Sequence, residues 1–285
     1  MEMSGKEEGF RAGPVENHRE REKGALVYPV YSRRSGGLSI GINLFPDRKS
    51  CSFDCPYCEV FPFSRNIAFS IALMEEALEN ALAGARAEKI PVRDISFSGN
   101  GEPSLSPHFA GALESAARVR GSRAPEAALV LITNGTGLLD EKLYGLLRDR
   151  ASGAMALRVW LKLDAGTPDW YARINRSAVD YSRLVSRIRL FVTEAPADIQ
   201  TMICAVGSRP PPPEEAAAWE KLAVELAISA RGRIRSFQLY GKARPAPEDP
   251  LAGALPAAYA ETRAESLRRA LGAAGEGGVP VEVFP

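Results

Sequence analysis

Three of the four cysteines in this 285-residue chain lie within eight positions of one another. Cys51, Cys55 and Cys58 stand in the stretch CSFDCPYC, whereas the fourth, Cys204, lies far downstream. A structural zinc site needs four ligands, and a ferredoxin-type run supplies four cysteines for each cluster. Three thiolates on a [4Fe-4S] cube leave one iron free for another molecule, and soft sulfur suits iron. The spacing therefore predicts an iron-sulfur site with one open position.

Composition and charge limit the classes of function open to the chain. The sequence is 45% hydrophobic, enough for the core of one barrel-like domain or two small domains. A formal net charge of +1 provides no overall field for binding nucleic acid or an anionic membrane. The charged N-terminal segment is unlike a signal peptide, and no apolar run reaches membrane-spanning length. We expect a cytoplasmic protein with no membrane partner, in which clustered thiols are metal ligands or catalytic groups rather than disulfides.

Strand-like and helix-like segments alternate along the chain. The stretches around Met74, Leu143 and Trp219 place apolar residues at the helical spacing i, i+3, i+4. Strands that alternate with helices pair in parallel through crossover connections, so the fold class is predicted to be α/β. The predicted strands are LSIGINLF (38–45), RDISFSG (93–99), ALVLITNG (128–135), RVWLKLDAG (158–166), IQTMICAV (199–206) and IRSFQLYG (234–241), with VPVEVF (279–284) as one last strand.

Two of these strands carry polar residues on one face. Trp160, Lys162 and Asp164 alternate with aliphatic residues, as do Gln238 and Tyr240. A parallel sheet covered by helices usually has two apolar faces. The pattern predicts a barrel whose lumen holds a polar ligand, with an exposed sheet edge as the alternative.

Three regions follow from composition. Residues 1–25 mix charges with Gly and Pro and show no apolar periodicity, which predicts a flexible N-terminal segment. Residues 26–241 hold the predicted barrel. Residues 242–285 are predicted to form a C-terminal loop, a helix and the last strand.

The cysteine spacing resembles that of the radical S-adenosylmethionine (SAM) superfamily. The three cysteines follow the first predicted strand, and Tyr57 supplies the aromatic residue before the last one. SGNGEP (98–103) resembles the superfamily's GGEP motif, although Asn100 interrupts its glycine pair. Further resemblance, to the group that contains tRNA wyosine synthase, covers roughly residues 30–240. Its motifs are SRR (32–34), GINL (41–44), ITNG (132–135), LDAG (163–166) and INR (174–176).

The resemblance implies a partial (β/α)6 TIM-like barrel of the radical SAM type, with the cysteine loop at the mouth of the first strand. Its cofactors would be a [4Fe-4S] cluster on Cys51, Cys55 and Cys58 and SAM on the open iron. Reductive cleavage of SAM to a 5′-deoxyadenosyl radical would let the enzyme abstract hydrogen from a substrate, with the protein supplying orientation and protection. A flavodoxin- or ferredoxin-type protein would donate the electron.

The same resemblance assigns residues to the cofactor site. Glu102 would accept a hydrogen bond from the SAM ammonium group, and Tyr57 would lie near the adenine or else pack the cysteine loop. Gln238 and Tyr240 would line the adenine or substrate side. No catalytic residue is assigned. The predicted cofactor-binding set is Tyr57, Gly99, Asn100, Gly101, Glu102, Asn134, Lys162, Asp164 and Gln238.

Other chemically capable residues have two interpretations. Cys204 stands in an apolar stretch, which favours packing over a role as hydrogen donor. His108 follows Ser-Pro, which favours a surface position at a helix start over a catalytic one. Two arginine pairs are either anion clamps or solvated surface residues, because guanidinium pairs bidentately with carboxylate or phosphate. These pairs are Arg33 with Arg34 and Arg173 with Arg176.

Alternatives for the function remain open at the level of sequence. Wyosine synthase uses extra cysteines that this chain lacks, and the chain has no strong basic field, so a small molecule or peptide is favoured over tRNA as substrate. Transfer of a 3-amino-3-carboxypropyl group from SAM is a second reaction open to the superfamily. A metal-braced binding module without turnover is the alternative from another class. We expect a monomer.

Overall fold

The computed structural model of the protein describes residues 25–248 and 251–285. The predicted flexible segment, residues 1–25, lies outside these ranges except for its last residue. Within the described ranges, no helix combines the length and the apolar character needed to cross a bilayer.

Within the described residues, nine strands form the sheet: β1 Val27–Ser32, β2 Gly37–Ile42, β3 Val92–Phe97, β4 Ala128–Thr133, β5 Arg158–Lys162, β6 Ala197–Val206, β7 Ile234–Gly241, β8 Ala252–Ala254 and β9 Val281–Phe284. The second to seventh strands, β2 to β7, lie side by side in chain order and pair in parallel. Strand β1 pairs antiparallel with β2 at one edge, β9 pairs parallel with β7 at the other, and β8 pairs antiparallel with β6.

Helices connect the parallel strands, and their first turns carry the signals expected of helix starts. Ser70, Asp140, Thr167 and Asp180 each cap a helix with a side chain that accepts a backbone N–H. The helices are α1 Ile71–Ala87, α2 Phe109–Arg123, α3 Glu141–Ser152, α4 Pro168–Ile174, α5 Tyr181–Glu194, α6 Pro213–Ala230 and α7 Ala257–Ala273, with 3₁₀ turns at Pro103–Leu105 and Thr136–Leu139.

The core lies between the outer face of the sheet and the helices. Phe97, Phe191 and Phe237 are fully buried there together with the aliphatic residues of alternate strand positions. The order of strands and helices confirms the predicted partial (β/α)6 barrel.

The inner face of the sheet is polar and hydrogen-bonded, as the strand alternation predicted. Arg158 on β5 forms an ion pair with Asp198 on β6, with 2.8 Å between Nη2 and Oδ1, and Ser236 on β7 donates to the same carboxylate. One layer higher, the Gln200 side-chain amide donates to the Gln238 Oε1 at 2.8 Å. The buried Asp198, Ser236 and Gln238 side chains therefore have partners on neighbouring strands, which offsets the cost of removing them from water.

A prediction concerns Gly166, the residue at which the β5 loop meets α6. A Cβ at this position would collide with the backbone of Trp219 in α6. We expect Gly166→Ala to lower the free energy of unfolding in urea by about 1–3 kcal/mol, because the helix would have to move away from the loop. Gly145→Ala is the matched control, since Gly145 lies inside α3 and an added Cβ there would meet no atom within 4 Å. That control is expected to gain about 0.5–1 kcal/mol, and equal effects of the two substitutions would contradict the packing.

Candidate active site

The loops at the carboxyl ends of the parallel strands converge on one cleft of about 200 Å³. This end of a parallel barrel is where ligands bind in such folds. The cleft brings together the three clustered cysteines and most of the predicted cofactor-binding residues. Its lining includes Cys51, Cys55, Cys58, Tyr57, Gly99, Gly101, Glu102, Asn134 and Lys162.

A two-bond backbone bridge joins the cysteine loop to the glycine-rich loop after β3. Ser50 N–H donates to the carbonyl of Asn100 at 3.0 Å, and Glu102 N–H donates to the carbonyl of Ser50 at 2.8 Å. A Cβ on Gly101 would collide with the Ser50 carbonyl oxygen, so this approach requires glycine. The bridge fixes Cys51, the next residue, beside the GNGEP turn.

Asn100, which interrupts the GGEP-like motif, lies in the wall of the glycine-rich loop rather than at the cleft surface. Its side-chain amide donates to the Phe45 carbonyl at 3.1 Å, and its N–H donates to Asn43 Oδ1 at 3.2 Å. Gly99 packs against the same Asn43 side chain and has a φ of 118°, a conformation that favours glycine. Both residues therefore shape the loop, and Gly99 also lines the cleft.

The far side of the cysteine loop is anchored by residues that follow α4. Asp54 N–H donates to the Asn175 carbonyl at 2.9 Å, and Ser177 Oγ donates to the Ser52 carbonyl at 2.8 Å. The Asn175 side-chain amide also lies 3.5 Å from Cys55 Sγ as a donor. The sequence pattern predicted no role for Asn175 or Ser177, although the INR motif contains the former, because their partners Asp54 and Ser52 lie in a distant part of the chain.

Two of the three sulfur atoms accept N–H groups. Phe53 N–H donates to Cys51 Sγ at 3.4 Å, and the Asn134 amide lies 3.7 Å from the same sulfur and 2.9 Å from Ser52 Oγ. Burial raises the pKa of the Cys51 thiol to about 11 and that of Cys55 to about 12. The N–H donors act in the opposite sense, since they favour thiolate over thiol.

Glu102 ties the glycine-rich loop to the turn after β4. Its Oε1 accepts Ser104 N–H and Oγ–H and, at 2.6 Å, Thr133 Oγ1–H. Its Oε2 accepts Asn134 N–H at 2.7 Å. Burial raises the pKa of this carboxyl, and the four donors oppose that rise. The Glu102 carboxylate thus positions Asn134 at the cleft. The contact of Glu102 with a SAM ammonium group stays a prediction.

A buried network connects Lys162 with three neighbours. Lys162 Nζ donates to Tyr240 Oη at 2.5 Å and lies 3.7 Å from Asp164 Oδ2, and Tyr57 Oη donates to that same carboxylate oxygen. Burial disfavours the Lys162 charge, but Asp164 and Tyr240 outweigh it and hold its pKa above the ordinary value. Lys162, Tyr57 and Tyr240 line the cleft, with their hydroxyl and amino groups bound to one another or to Asp164.

Asp164 and Gln238 lie behind the cleft rather than on its surface. Met202 N–H donates to Asp164 Oδ1 at 2.9 Å, and the Asn175 amide donates to Oδ2 at 2.8 Å. The Asp164 carboxylate is therefore occupied by protein donors, and Gln238 is bound to Gln200 in the layer below. The cleft lining includes neither side chain, so their predicted direct contact with SAM stays a prediction.

The remaining candidate residues differ in whether they line the cleft. Arg34 does, whereas Arg173, Arg176, His108 and Cys204 do not. Arg173 is exposed on α4, and Arg176 pairs with Glu248 at 2.5 Å. His108 is exposed at the start of α2 and stacks on Phe69 with 5.1 Å between ring centroids, and Cys204 is buried in β6. Neither of these two residues lines the cleft.

Comparison with curated proteins gives partial matches. No protein-family model matches the sequence. The chain is 33% identical over 100 residues to a "UPF0026 protein" of Helicobacter pylori (strain 26695), which covers 33% of this chain and 31% of that protein. It is 27% identical over 198 residues to "UPF0026 protein slr1464" of Synechocystis, covering 63% of this chain and 64% of the relative. The match therefore spans less than two thirds of either relative.

Comparison with solved structures establishes the fold. A radical SAM methyltransferase from Sphaerobacter thermophilus aligns with a TM-score of 0.62 at 14% identity, over 90% of this chain and 68% of that one. Streptococcus suis SuiB, solved bound to S-adenosylmethionine, aligns with the same TM-score and identity over 84% of this chain and 49% of its own. The barrel has the fold of these two solved proteins, and the resemblance predicted from sequence is confirmed at the level of the fold.

The three cysteines of the cleft have the donor chemistry of an iron-sulfur site. A cubane binds each thiolate at a separate iron corner. Within residues 25–248 and 251–285, no group of three or more His, Cys, Asp or Glu side chains is placed to hold one metal ion. Three cysteines line one cleft, and N–H groups point at two of their sulfur atoms, as in sites where such bonds tune a cluster. The donor set therefore fits a [4Fe-4S] cluster.

A prediction concerns Asn175, whose amide contacts both Cys55 and Asp164. Asn175→Ala removes a donor that favours the Cys55 thiolate, so we expect iron to be released about 10–100-fold more readily to a chelator after anaerobic reconstitution. The measurement is the chelator concentration that removes half of the bound iron. Asn80→Ala, at an exposed position on α1, is the control and is expected to match the wild type. If both variants retain iron equally, Asn175 does not contribute to holding the cluster.

Proposed function

We propose that this chain is a radical SAM enzyme that holds a [4Fe-4S] cluster on Cys51, Cys55 and Cys58 and binds SAM beside the GNGEP turn. The observation that carries the proposal is the backbone bridge between Ser50 and Gly101, which sets three thiols and the glycine-rich turn on one cleft. The cofactors would supply, on reduction, a 5′-deoxyadenosyl radical that abstracts hydrogen from a substrate.

The protein's part in this reaction is to bind, orient and shield. Residues 99–101 approach the cleft through backbone groups, since two of the three are glycines, and Asn134 is held there by Glu102. Lys162 presents a buried positive charge suited to the SAM carboxylate. The apolar walls formed by Phe53, Val60, Ile132 and Met202 limit water in the cleft, which protects reactive species from side reactions.

Tyr57 is the aromatic residue directly before Cys58. Its ring is buried at 6% exposure, and its hydroxyl is fixed by Asp164, so the ring orientation is set before any ligand enters. This supports a role for the ring beside the SAM adenine, where an offset or edge contact is favourable. Asp164 then acts as a positioning residue for Tyr57 and Lys162.

The partners follow from this chemistry. A flavodoxin- or ferredoxin-type protein would deliver the electron. We favour a small molecule or peptide over tRNA as substrate, because the net charge of +1 provides little attraction for a polynucleotide. We propose that the enzyme acts as a cytoplasmic monomer.

A prediction compares Cys55, which is partly buried and lines the cleft, with Cys204, which is buried outside it. Wild-type protein purified without oxygen is expected to be brown with about four irons per chain, and, with dithionite and SAM, to form 5′-deoxyadenosine. Cys55→Ala is expected to lose the cluster and this product, because a cluster ligand is gone. Cys204→Ala is the matched control, since Cys204 lies in β6 outside the cleft, and it is expected to keep both.

Two results would overturn the proposal. Wild-type protein with stoichiometric zinc and no colour would support a metal-braced binding module instead. Full iron content in Cys55→Ala would show that Cys55 is not a ligand.

A further inference from the structure

Three polar side chains beside the first cysteine form a closed ring of hydrogen bonds. Thr136 Oγ1–H donates to Asn134 Oδ1 at 2.8 Å, and Asn134 Nδ2–H donates to Ser52 Oγ at 2.9 Å. Ser52 Oγ lies 2.7 Å from Thr136 Oγ1. Because the single hydroxyl hydrogen of Thr136 goes to Asn134, Ser52 is the donor in this last bond. Each side chain of the ring therefore holds the next one in place.

The backbone decides which way the Asn134 amide faces. Thr136 N–H donates to Asn134 Oδ1 at 2.9 Å. A backbone N–H can only donate, so the amide atom that faces it must be the oxygen. The amide nitrogen consequently faces the cysteine loop, with 3.7 Å between Nδ2 and Cys51 Sγ.

The Asn134 side chain uses its whole hydrogen-bonding capacity on the protein. Its oxygen accepts two groups of Thr136, and its two amide hydrogens go to Ser52 Oγ and Cys51 Sγ. Asn134 lines the cleft, but a ligand there would bind this amide only by displacing one of these partners. The arrangement favours an action of Asn134 on the sulfur over the direct contact with SAM that the sequence predicts.

We infer that Asn134 raises the reduction potential of the cluster through Cys51 instead of binding SAM, and that Thr136 and Ser52 are positioning residues that hold its amide on the sulfur. The inference rests on the proposed function, because it requires a cluster bound to Cys51.

The direction of the effect follows from electrostatics. The hydrogen of an N–H group is the positive end of its dipole, and here it faces a thiolate ligand. Uptake of one electron from the protein donor adds negative charge to the cluster and its sulfur ligands, so the N–H group stabilises the reduced form more than the oxidised form. Asn134 is 4% exposed and Thr136 is 8% exposed, so water screens this interaction little. Phe53 N–H donates to the same sulfur, but that donor belongs to the backbone.

The test is a redox titration of the full chain, purified without oxygen, in which electron paramagnetic resonance measures the reduced cluster. Thr136→Val keeps the shape of the side chain and removes the hydroxyl that holds the amide. We expect a more negative midpoint potential than that of the wild type, because the amide is held less firmly on Cys51. Thr136→Ser keeps the hydroxyl and is expected to restore the wild-type potential. Thr262→Val, at an exposed position on α7, is the matched control and is expected to leave the potential unchanged.

A double-mutant cycle separates action through Asn134 from a general structural effect. Asn134→Ala removes the donor and is expected to lower the potential at least as much as Thr136→Val does. If Thr136 acts through that amide, adding Thr136→Val to Asn134→Ala gives no further shift, whereas independent effects add. Ser52→Ala is expected to lower the potential as well, and it replaces Thr136→Val in the cycle if that variant does not take up iron.

The affinity for SAM distinguishes the two roles of Asn134. With the cluster oxidised, we expect Asn134→Ala to bind SAM within about twofold of the wild type. A loss of about tenfold or more in affinity, with an unchanged potential, would assign the amide to SAM and overturn the inference. Equal potentials in all variants, or shifts that add in the double mutant, would also overturn it.

The outcomes separate the inference from the proposed function. A wild-type cubane whose potential is unchanged in Asn134→Ala rejects the inference and leaves the proposed function intact. A wild-type protein without a cubane rejects both. Thermal unfolding shows whether each variant is folded. If the Asn134, Thr136 and Ser52 variants are folded but none takes up iron, the ring holds the cysteine loop instead of tuning the cluster, and the inference is wrong.

Discussion

The pairing of two loop backbones is the constraint on which the rest of the site depends. Ser50 exchanges hydrogen bonds with Asn100 and Glu102, and only glycine at position 101 allows that approach. The connection from β2 to α1 spans residues 43–70, a length at which loops in compact domains are usually functional. This pairing fixes the first cysteine on the side of the GNGEP turn, while the residues after α4 anchor the far side of its loop. With it, the thiols and the GNGEP turn share one cleft.

The inner face of the barrel is polar, unlike an ordinary protein core. A parallel sheet covered by helices commonly buries aliphatic residues on both faces, yet here charged and amide groups occupy the inner one. Their partners come from adjacent strands, as for Asp198 with Arg158 and for Gln238 with Gln200. Such a face loses hydrophobic stabilisation and gains a preorganised polar environment. Arg34, held over Trp160 at the side of this lumen, lines the cofactor cleft and so extends that environment to it.

Local sequence signals were enough to predict the parallel strands, the cysteine cluster and the glycine-rich turn, because each depends on residues close together in the chain. Whether a side chain lies on the surface of the cleft or behind it was not predictable in the same way. Alternation placed Asp164 on the inner face, but its hydrogen bonds come from Tyr57 and Met202, on other parts of the barrel. The contacts of Asn175 with Cys55 and of Arg34 with Tyr240 likewise join residues far apart in the sequence, on which local pattern carries no information.

The most direct test of the account is electron paramagnetic resonance of the dithionite-reduced protein, recorded without and with SAM. If three cysteines hold a cubane and leave one iron open, the reduced [4Fe-4S] signal will be present and will change when SAM is added, because SAM enters the coordination sphere of that iron. A cubane signal that is the same with and without SAM, or the absence of any cubane signal, would contradict the account.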